Sequence, residues 1–364
     1  MRATRHGASL GGIALLGVVA YYLLTHLQGD KGQAALLVAL WTVSVTGLNI
    51  VQGLGGYPSL AQASFYGGGA YLSTIFLHHG MPMPVAAVLA VAAVTGVGLV
   101  VSLVFARTRG QYFAIGTLFF GAVVTLLLNN ATSLTGGPNG TPVDLGFAPT
   151  TTLRLLAASV SVGFALFYLV TRTRFGTRLL AIREDEDLAD HVGVPTARTK
   201  LLALVVSATF AAWAGVLLAQ YNGVIAPTQF TFGQSFLMFV AVGLGGYGRL
   251  LTPLVGSAVV VGLPQLLNLG PGVSQIGVGI IFIVVTLVVP GGRSRWRSQR
   301  APSPVCSVPT APARRPRCWA SAPGCRASPG GSCSTAWTSA APAPSNWSRP
   351  VSRCAPRTDG SFRT

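Results

Sequence analysis

The 364-residue chain is 51% hydrophobic and only 9% charged, with a formal net charge of +17 and a positive mean hydropathy. Soluble domains carry about 25% charged residues, because a wetted surface must cover the core; this composition excludes such a domain and makes lipid the solvent. The positive charge is no sign of nucleic-acid binding, since most of it sits in one C-terminal segment.

A helix crosses the hydrocarbon core with roughly 20 apolar residues. Ten runs approach that length: 8–27, 33–52, 59–77, 82–106, 111–129, 155–171, 201–221, 232–247, 252–269 and 273–289. None contains Asp, Glu, Lys or Arg, and none shows the period of two that a membrane β-barrel requires. The expected fold is an all-α polytopic membrane protein of about ten transmembrane helices with both termini cytoplasmic. Short or Gly-rich runs lead us to expect some broken or re-entrant helices, with the helix count open around 53–80 and 232–270. The first run follows Arg2 and Arg5 as a signal peptide would. It is longer than a signal-peptide apolar core, and no Ala-x-Ala site follows Leu27, so it reads as an uncleaved helix.

Basic residues orient the spans. With the N-terminus inside, the cytoplasmic segments before residue 293 hold Arg2, Arg5, Arg107, Arg109, Arg172, Arg174, Arg178, Arg183, Arg198, Lys200 and Arg249. The outside keeps Lys31 and Arg154. The expected domains are a transmembrane domain, 1–292, containing a cytoplasmic loop at 172–200, and a separate tail, 293–364.

The loop RTRFGTRLLAIREDEDLADHVGVPTARTK opens with Arg172, Arg174, Arg178 and Arg183, then packs five acids into Glu184–Asp190. Leu179, Ile182, Leu188 and Val192 recur at spacings that allow short amphipathic helices, with Gly193 as a C-terminal stop. Arg183 and Asp187 are spaced for an i,i+4 ion pair. The plain alternative is a solvated loop that obeys the positive-inside bias.

From Arg293 onward the composition changes: twelve Arg, one acid (Asp359), and all five cysteines, at 306, 318, 325, 333 and 354. Residues 301–364 lack Leu, Ile, Met, Lys, Glu, Gln, Tyr and His, and so lack most of what offsets ordering entropy. Two readings stand. One is a disordered basic tail lying on anionic membrane lipid; the other is an out-of-frame translation of GC-rich DNA. The cysteine spacings match no zinc pattern.

The eight acids are Asp30, Asp144, Glu184, Asp185, Glu186, Asp187, Asp190 and Asp359, all outside the expected spans. Intramembrane carboxylates that would relay protons are therefore missing. A P-loop needs Gly-Lys-Ser/Thr, and neither Lys31 nor Lys200 lies in that setting. His6, His26, His78, His79 and His191 do not combine into a metal site. No catalytic, cofactor-binding or metal-ligating residue is expected, and any pumping needs an outside motor.

The stretch FGTRLLAIREDEDLADHVGVPTARTKLLALVVSATFAAWAGVLLA resembles the signature region of branched-chain amino-acid ABC transporter permeases of the LivM type. SLAQASFYGGGAYLS (59–73), RGQYFAIGTLFFG (109–121), LTGGPNG (134–140) and VGLGGYGRLLTPLVGSAV (242–259) resemble further elements of that family, in order. The resemblance covers roughly residues 35–290 and fails in the tail. It implies that Arg178, Ala181, Arg183, Glu184, Asp185, Asp187, Ala189 and Gly193 belong to a loop that couples the membrane domain to an ATPase.

The resemblance also implies an importer in the bacterial cytoplasmic (inner) membrane. Its partners would be a second homologous permease, two cytoplasmic ATPase subunits that bind ATP and Mg, and an external or periplasmic substrate-binding protein. The substrate would be leucine, isoleucine or valine. A related permease for urea, amides or other amino acids, and a stand-alone secondary carrier, are the alternatives. Asn49, Gln52, Gln62 and Asn129 are the polar residues nearest the span interiors or ends. Gly67, Gly68, Gly69, Gly245 and Gly246 allow close helix approach or unwinding. All nine are candidate translocation-pathway positions, and for each glycine simple packing is the alternative.

Overall fold

The computed structural model describes residues 30–105, 108, 110–143, 146 and 149–266, with Tyr22, Gly277, Gly279 and two residue pairs near the C-terminus. The expected spans 8–27 and 273–289, and nearly all of the tail, lie outside the described residues. The chain divides into two compact units, Met1–Trp296 and Arg297–Thr364. In the second, the described residues Arg326–Ala327 and Cys333–Ser334 pair as antiparallel strands.

The first unit is helical. Helix α1 (Asp30–Leu48) runs on into a π-helical turn, Asn49–Leu54. It is followed by α2 (Gln62–His78), α3 (Met83–Phe105), α4 (Gln111–Asn130) and the single turn α5 (Thr132–Thr135). Then come α6 (Pro149–Arg172), α7 (Arg174–Glu184), α8 (Glu186–His191), α9 (Thr196–Asn222) and α10 (Phe232–Gly245). The last described segment is α11 (Thr252–Ser257), a second π-helical turn (Ala258–Gly262) and α12 (Leu263–Leu266). Among the described residues, five segments are long and apolar enough to cross a membrane: Lys31–Leu54, Met83–Phe105, Gln111–Asn130, Thr150–Arg172 and Thr196–Asn222. At 14 residues, α10 rises only about 21 Å, short of a full crossing. This short helix lies in the 232–270 region whose helix count the sequence leaves open, and it ends at Gly245.

Consecutive spans run in opposite directions between two ends of the bundle. At one end Gly53 and Tyr57 meet the 172–200 segment, as do Thr108 and Gly248. At the other, the strands β1 (Thr141–Pro142) and β2 (Val224–Ile225) pair antiparallel, and the Gly146 N–H donates to Gln220 Oε1 at 2.9 Å.

Helix α9 packs against α1, α2 and α3. Its inward face is built from small residues, Ala203, Ser207, Ala208, Ala211, Ala212 and Gly215, all buried. The backbones approach so closely that a Cβ on Gly215 would collide with the Tyr66 carbonyl oxygen, and one on Gly69 with that of Ala212. Close packing of this kind holds helices together where lipid supplies no hydrophobic drive between them. Of the described spans, α1 with its π-helical turn is the most enclosed, with 83% of its apolar window buried against 17% for α4. A helix apolar on all sides belongs in such a position.

Because α1 is enclosed, its polar side chains find partners across the bundle. The hydroxyls of Thr42 and Ser257 lie 2.7 Å apart. Gln62 on α2 donates to the Ser44 carbonyl at 2.8 Å and accepts from the Ser207 hydroxyl at 3.0 Å. The Ala63 N–H donates to the Ser235 hydroxyl at 3.0 Å. This seam ties α1, α2, α9, α10 and α11 without a charge.

Candidate functional site

The 172–200 segment folds as two short helices, and its sequence explains the break between them. Leu179 and Ile182 form the buried stripe of α7, and the Leu179 side chain lies 3.2 Å from the Cβ position of Gly55. Asp185 turns extended (φ −158°) and its carboxylate accepts the Leu188 N–H at 3.0 Å, capping α8. Glu186 and Asp187 occupy the first turn of α8, where the helix dipole favours acids. Beyond Val192, Gly193 takes φ 86° and ends the helix as expected.

Two anchors fix this pair of helices to the bundle. The first is Arg183, whose Nη1 donates to the Gly53 carbonyl at 2.6 Å, while the guanidinium lies 5.8 Å from the Tyr247 ring centroid. Gly53 belongs to the π-helical turn that ends α1. The same turn is fastened to the Gly-rich loop between α10 and α11 by Asn49. Its Nδ2 donates to the Arg249 carbonyl at 3.0 Å, and its Oδ1 accepts from the Gly248 N–H at 3.1 Å. Gly56 follows at φ 76°, and a Cβ there would stand 2.9 Å from Arg183 Cγ. The surface helix α7, the broken end of α1 and the loop after α10 therefore meet around one guanidinium.

The second anchor is an ion pair between Glu186 and Lys200. The Tyr57 hydroxyl donates to the other Glu186 oxygen at 2.9 Å. The Lys200 ammonium lies 4.2 Å from the Tyr57 ring centroid and donates to the Thr108 carbonyl at 3.2 Å. The Lys200 side chain is 3% exposed and that of Glu186 18%. One buried cation thus joins α8, the foot of α9, the α1–α2 loop and the chain beyond α3.

Of the eight expected coupling residues, Arg183 is half-buried and faces the bundle, Ala189 is buried and Ala181 half-buried. Arg178, Glu184, Asp185, Asp187 and Gly193 are exposed. Leu180, Leu188 and Val192 are exposed alongside them, Val192 at 76%. The expected pairing of Arg183 with Asp187 is corrected: the helix breaks at Asp185 between them, and Arg183 turns to the Gly53 carbonyl. Sequence reasoning missed Glu186, Lys200, Tyr57 and Tyr247. The one available signal was Lys200, one of only two lysines in the chain, at the foot of an apolar span.

The expected pathway positions fall differently. Asn49 and Gln62 are buried, and their amides engage the contacts described above. Gln52 Nε2 donates to the Phe239 carbonyl at 3.4 Å, and Asn129 Nδ2 to the Thr125 carbonyl at 3.0 Å. Gly67 faces the Phe230 ring and Gly68 the Val94 side chain, while Gly69 meets the backbone of α9. Gly245 touches the Thr252 backbone, and Gly246, at φ 87°, accepts the Thr252 hydroxyl. The glycines thus serve close packing and the turn after α10.

An apolar, small-residue helix bundle with a charged two-helix platform clamped to one end is the build of a multi-pass membrane protein. The chain belongs to the family of permease components of branched-chain amino acid transport systems, whose profile matches residues 32–290. It is 31% identical over 294 residues to the high-affinity branched-chain amino acid transport system permease protein LivM of Escherichia coli K12, covering 71% of this chain and 68% of that protein. LivM of Salmonella typhimurium is 30% identical over the same shares. LivH of Escherichia coli K12 is 33% identical over 131 residues, 35% of this chain and 42% of LivH. No solved structure matches.

Proposed function

We propose that this chain is the transmembrane permease subunit of an ATP-driven, binding-protein-dependent importer for branched-chain amino acids in the bacterial inner membrane. The observation that carries the mechanism is the double anchorage of α7–α8, through Arg183 to the π-helical turn and through Glu186–Lys200 to the foot of α9. On this reading the platform faces the cytoplasm and receives two ATPase subunits, which hold ATP and Mg. A second homologous permease completes the membrane dimer, and an external binding protein delivers substrate. Leu180, Leu188 and Val192 are exposed on the same two-helix segment as the exposed Arg178, Glu184, Asp187 and Asp190, so the segment offers both apolar and charged side chains. Such a surface suits a protein partner.

When the ATPases close, the platform tips. The two anchors carry that motion to the break in α1, to the loop after α10 and to α9, and the bundle alternates between its two openings. Chain chemistry is confined to binding and transmission. The similarity to LivM along most of both chains supports the substrate class. The test is uptake into vesicles containing both permeases, the ATPases and the binding protein. Labelled leucine should accumulate only with ATP and be competed by valine and isoleucine. Competition by urea with none by valine would overturn the substrate, and ATP-independent equilibration by this chain alone would overturn the mechanism.

A further inference from the structure

At the end of the bundle opposite the platform lies a cavity of about 330 Å³, between α1, α2, the end of α9, the turn at 227–230, α10 and the 260–265 stretch. That is the size at which small-ligand pockets begin. Its wall has two chemistries. One part is aliphatic and aromatic, with Leu37, Trp41, Met238 and Val260; the other carries the Tyr66 phenol and the carboxamides of Asn222, Gln229, Gln234 and Gln265. Among the described residues, no Asp, Glu, Lys or Arg lines it.

The polar part holds unused hydrogen-bonding capacity. The Tyr66 hydroxyl, Gln229 Oε1 and Gln234 Oε1 are buried and find no partner among the described residues. Buried polar groups are normally paired, and three residues that carry an unpaired polar atom line this one cavity. The local build brings them together. Phe230, next to Gln229, packs edge-on against the Tyr66 ring at 5.7 Å, and it fits there because Gly67 has no side chain: a Cβ would stand 2.7 Å from the Phe230 ring.

We infer that this cavity is a transit site for a small zwitterion with an aliphatic side chain. The carboxamides of Gln229 and Gln234 accept from the ammonium group, the Tyr66 hydroxyl donates to the carboxylate, and the Leu37–Trp41–Met238–Val260 wall takes the hydrocarbon. A sugar, hydroxylated on every side, would leave hydroxyls unpaired against that apolar wall, which costs affinity. Neutral amides also hold a zwitterion loosely, and a site on a conduction path must release what it binds. The inference rests on the proposed function for its substrate and deepens it by placing that substrate in this chain.

The test uses the assembled complex in nanodiscs, with binding of labelled leucine measured without ATP or binding protein, beside ATP-driven uptake in vesicles. Gln229→Leu with Gln234→Leu removes both amides at similar volume and is expected to weaken leucine binding about tenfold or more. Val260→Phe, which fills the cavity and leaves every amide in the sequence, should weaken it as well, with assembly of the complex retained in both variants. Arabinose should not compete. Unchanged leucine affinity in both variants, or equal competition by arabinose, would show a water-filled void and overturn the inference. If the complex imports no branched-chain amino acid, yet leucine binding is lost in the variants, the transit site stands and the proposed function falls.

Discussion

The Glu186–Lys200 pair makes the sharpest prediction, because its two ends are unequally buried. Replacing Glu186 by Gln keeps the Tyr57 bond but strips the carboxylate from an ammonium that is 3% exposed, leaving it the Thr108 carbonyl and the Tyr57 ring face. Breaking a buried pair from one side costs about 3–5 kcal/mol; the remaining carbonyl and cation–π contact hold the loss to about 3 kcal/mol. Replacing Lys200 by Met leaves a carboxylate that is 18% exposed and still accepts from Tyr57. Water reaches it, so about 2 kcal/mol is expected. The double variant carries neither charge, and about 2 kcal/mol should again be lost, well short of additivity. Reversible unfolding in mixed micelles measures all three. Additive losses, or a costlier Lys200→Met than Glu186→Gln, would refute the argument that a buried cation is the joint.

Three further outcomes follow from the same geometry. Arg183→Lys keeps the charge but loses the planar guanidinium over Tyr247; in the assembled importer ATP hydrolysis should persist while leucine uptake drops about tenfold, and parallel loss of both would point to failed assembly instead. Gly215→Ala drives a methyl group into the Tyr66 carbonyl, so the thermal stability of the purified protein should fall by about 1–3 kcal/mol, with Gly233→Ala, 3.6 Å from its nearest contact, as the neutral control. Leu188→Asp with Val192→Asp alters only exposed side chains; folding should be unaffected while co-purification of the ATPase subunits is lost, and normal co-purification would remove the platform's outer face from the interface.

Apolar runs of membrane length were legible because lipid demands them, and eight of the ten fall on described helical segments. Their ends were less legible. Helix α9 starts at Thr196, so Arg198 and Lys200 stand on its first turns and not in a loop; hydropathy stops at the first charge, but a helix does not. The loop's amphipathic stripe, Leu179 and Ile182, and its Gly193 stop are local signals and were readable. The anchors were not. Arg183 to Gly53 spans 130 positions, and its acceptor is a backbone carbonyl that no composition reveals. Asp185 illustrates a similar limit: one acid in a run of five turns out to be a helix cap, and charge alone does not distinguish it from its neighbours.

On the proposed coupling, the two anchors make transmission and stability separate properties. A platform held at one point pivots about it and passes little motion to the bundle. Held at two, it moves both attachments together. Arg183 grips the end of α1 at a π-helical turn, where the regular hydrogen-bond ladder is already interrupted, and Asn49 passes that grip to the loop after α10. Glu186 grips α9, the helix that packs on α1, α2 and α3. Movement of α7–α8 must therefore shift a deformable element and a rigid one relative to each other. Deleting the Arg183 contact removes the deformable attachment and leaves the small-residue packing of α9 intact. Asn49→Ala, by the same reasoning, should leave the purified protein within about 2 kcal/mol of its original stability and still depress ATP-coupled uptake. Uptake at the original rate would place the transmission route elsewhere than the π-helical turn.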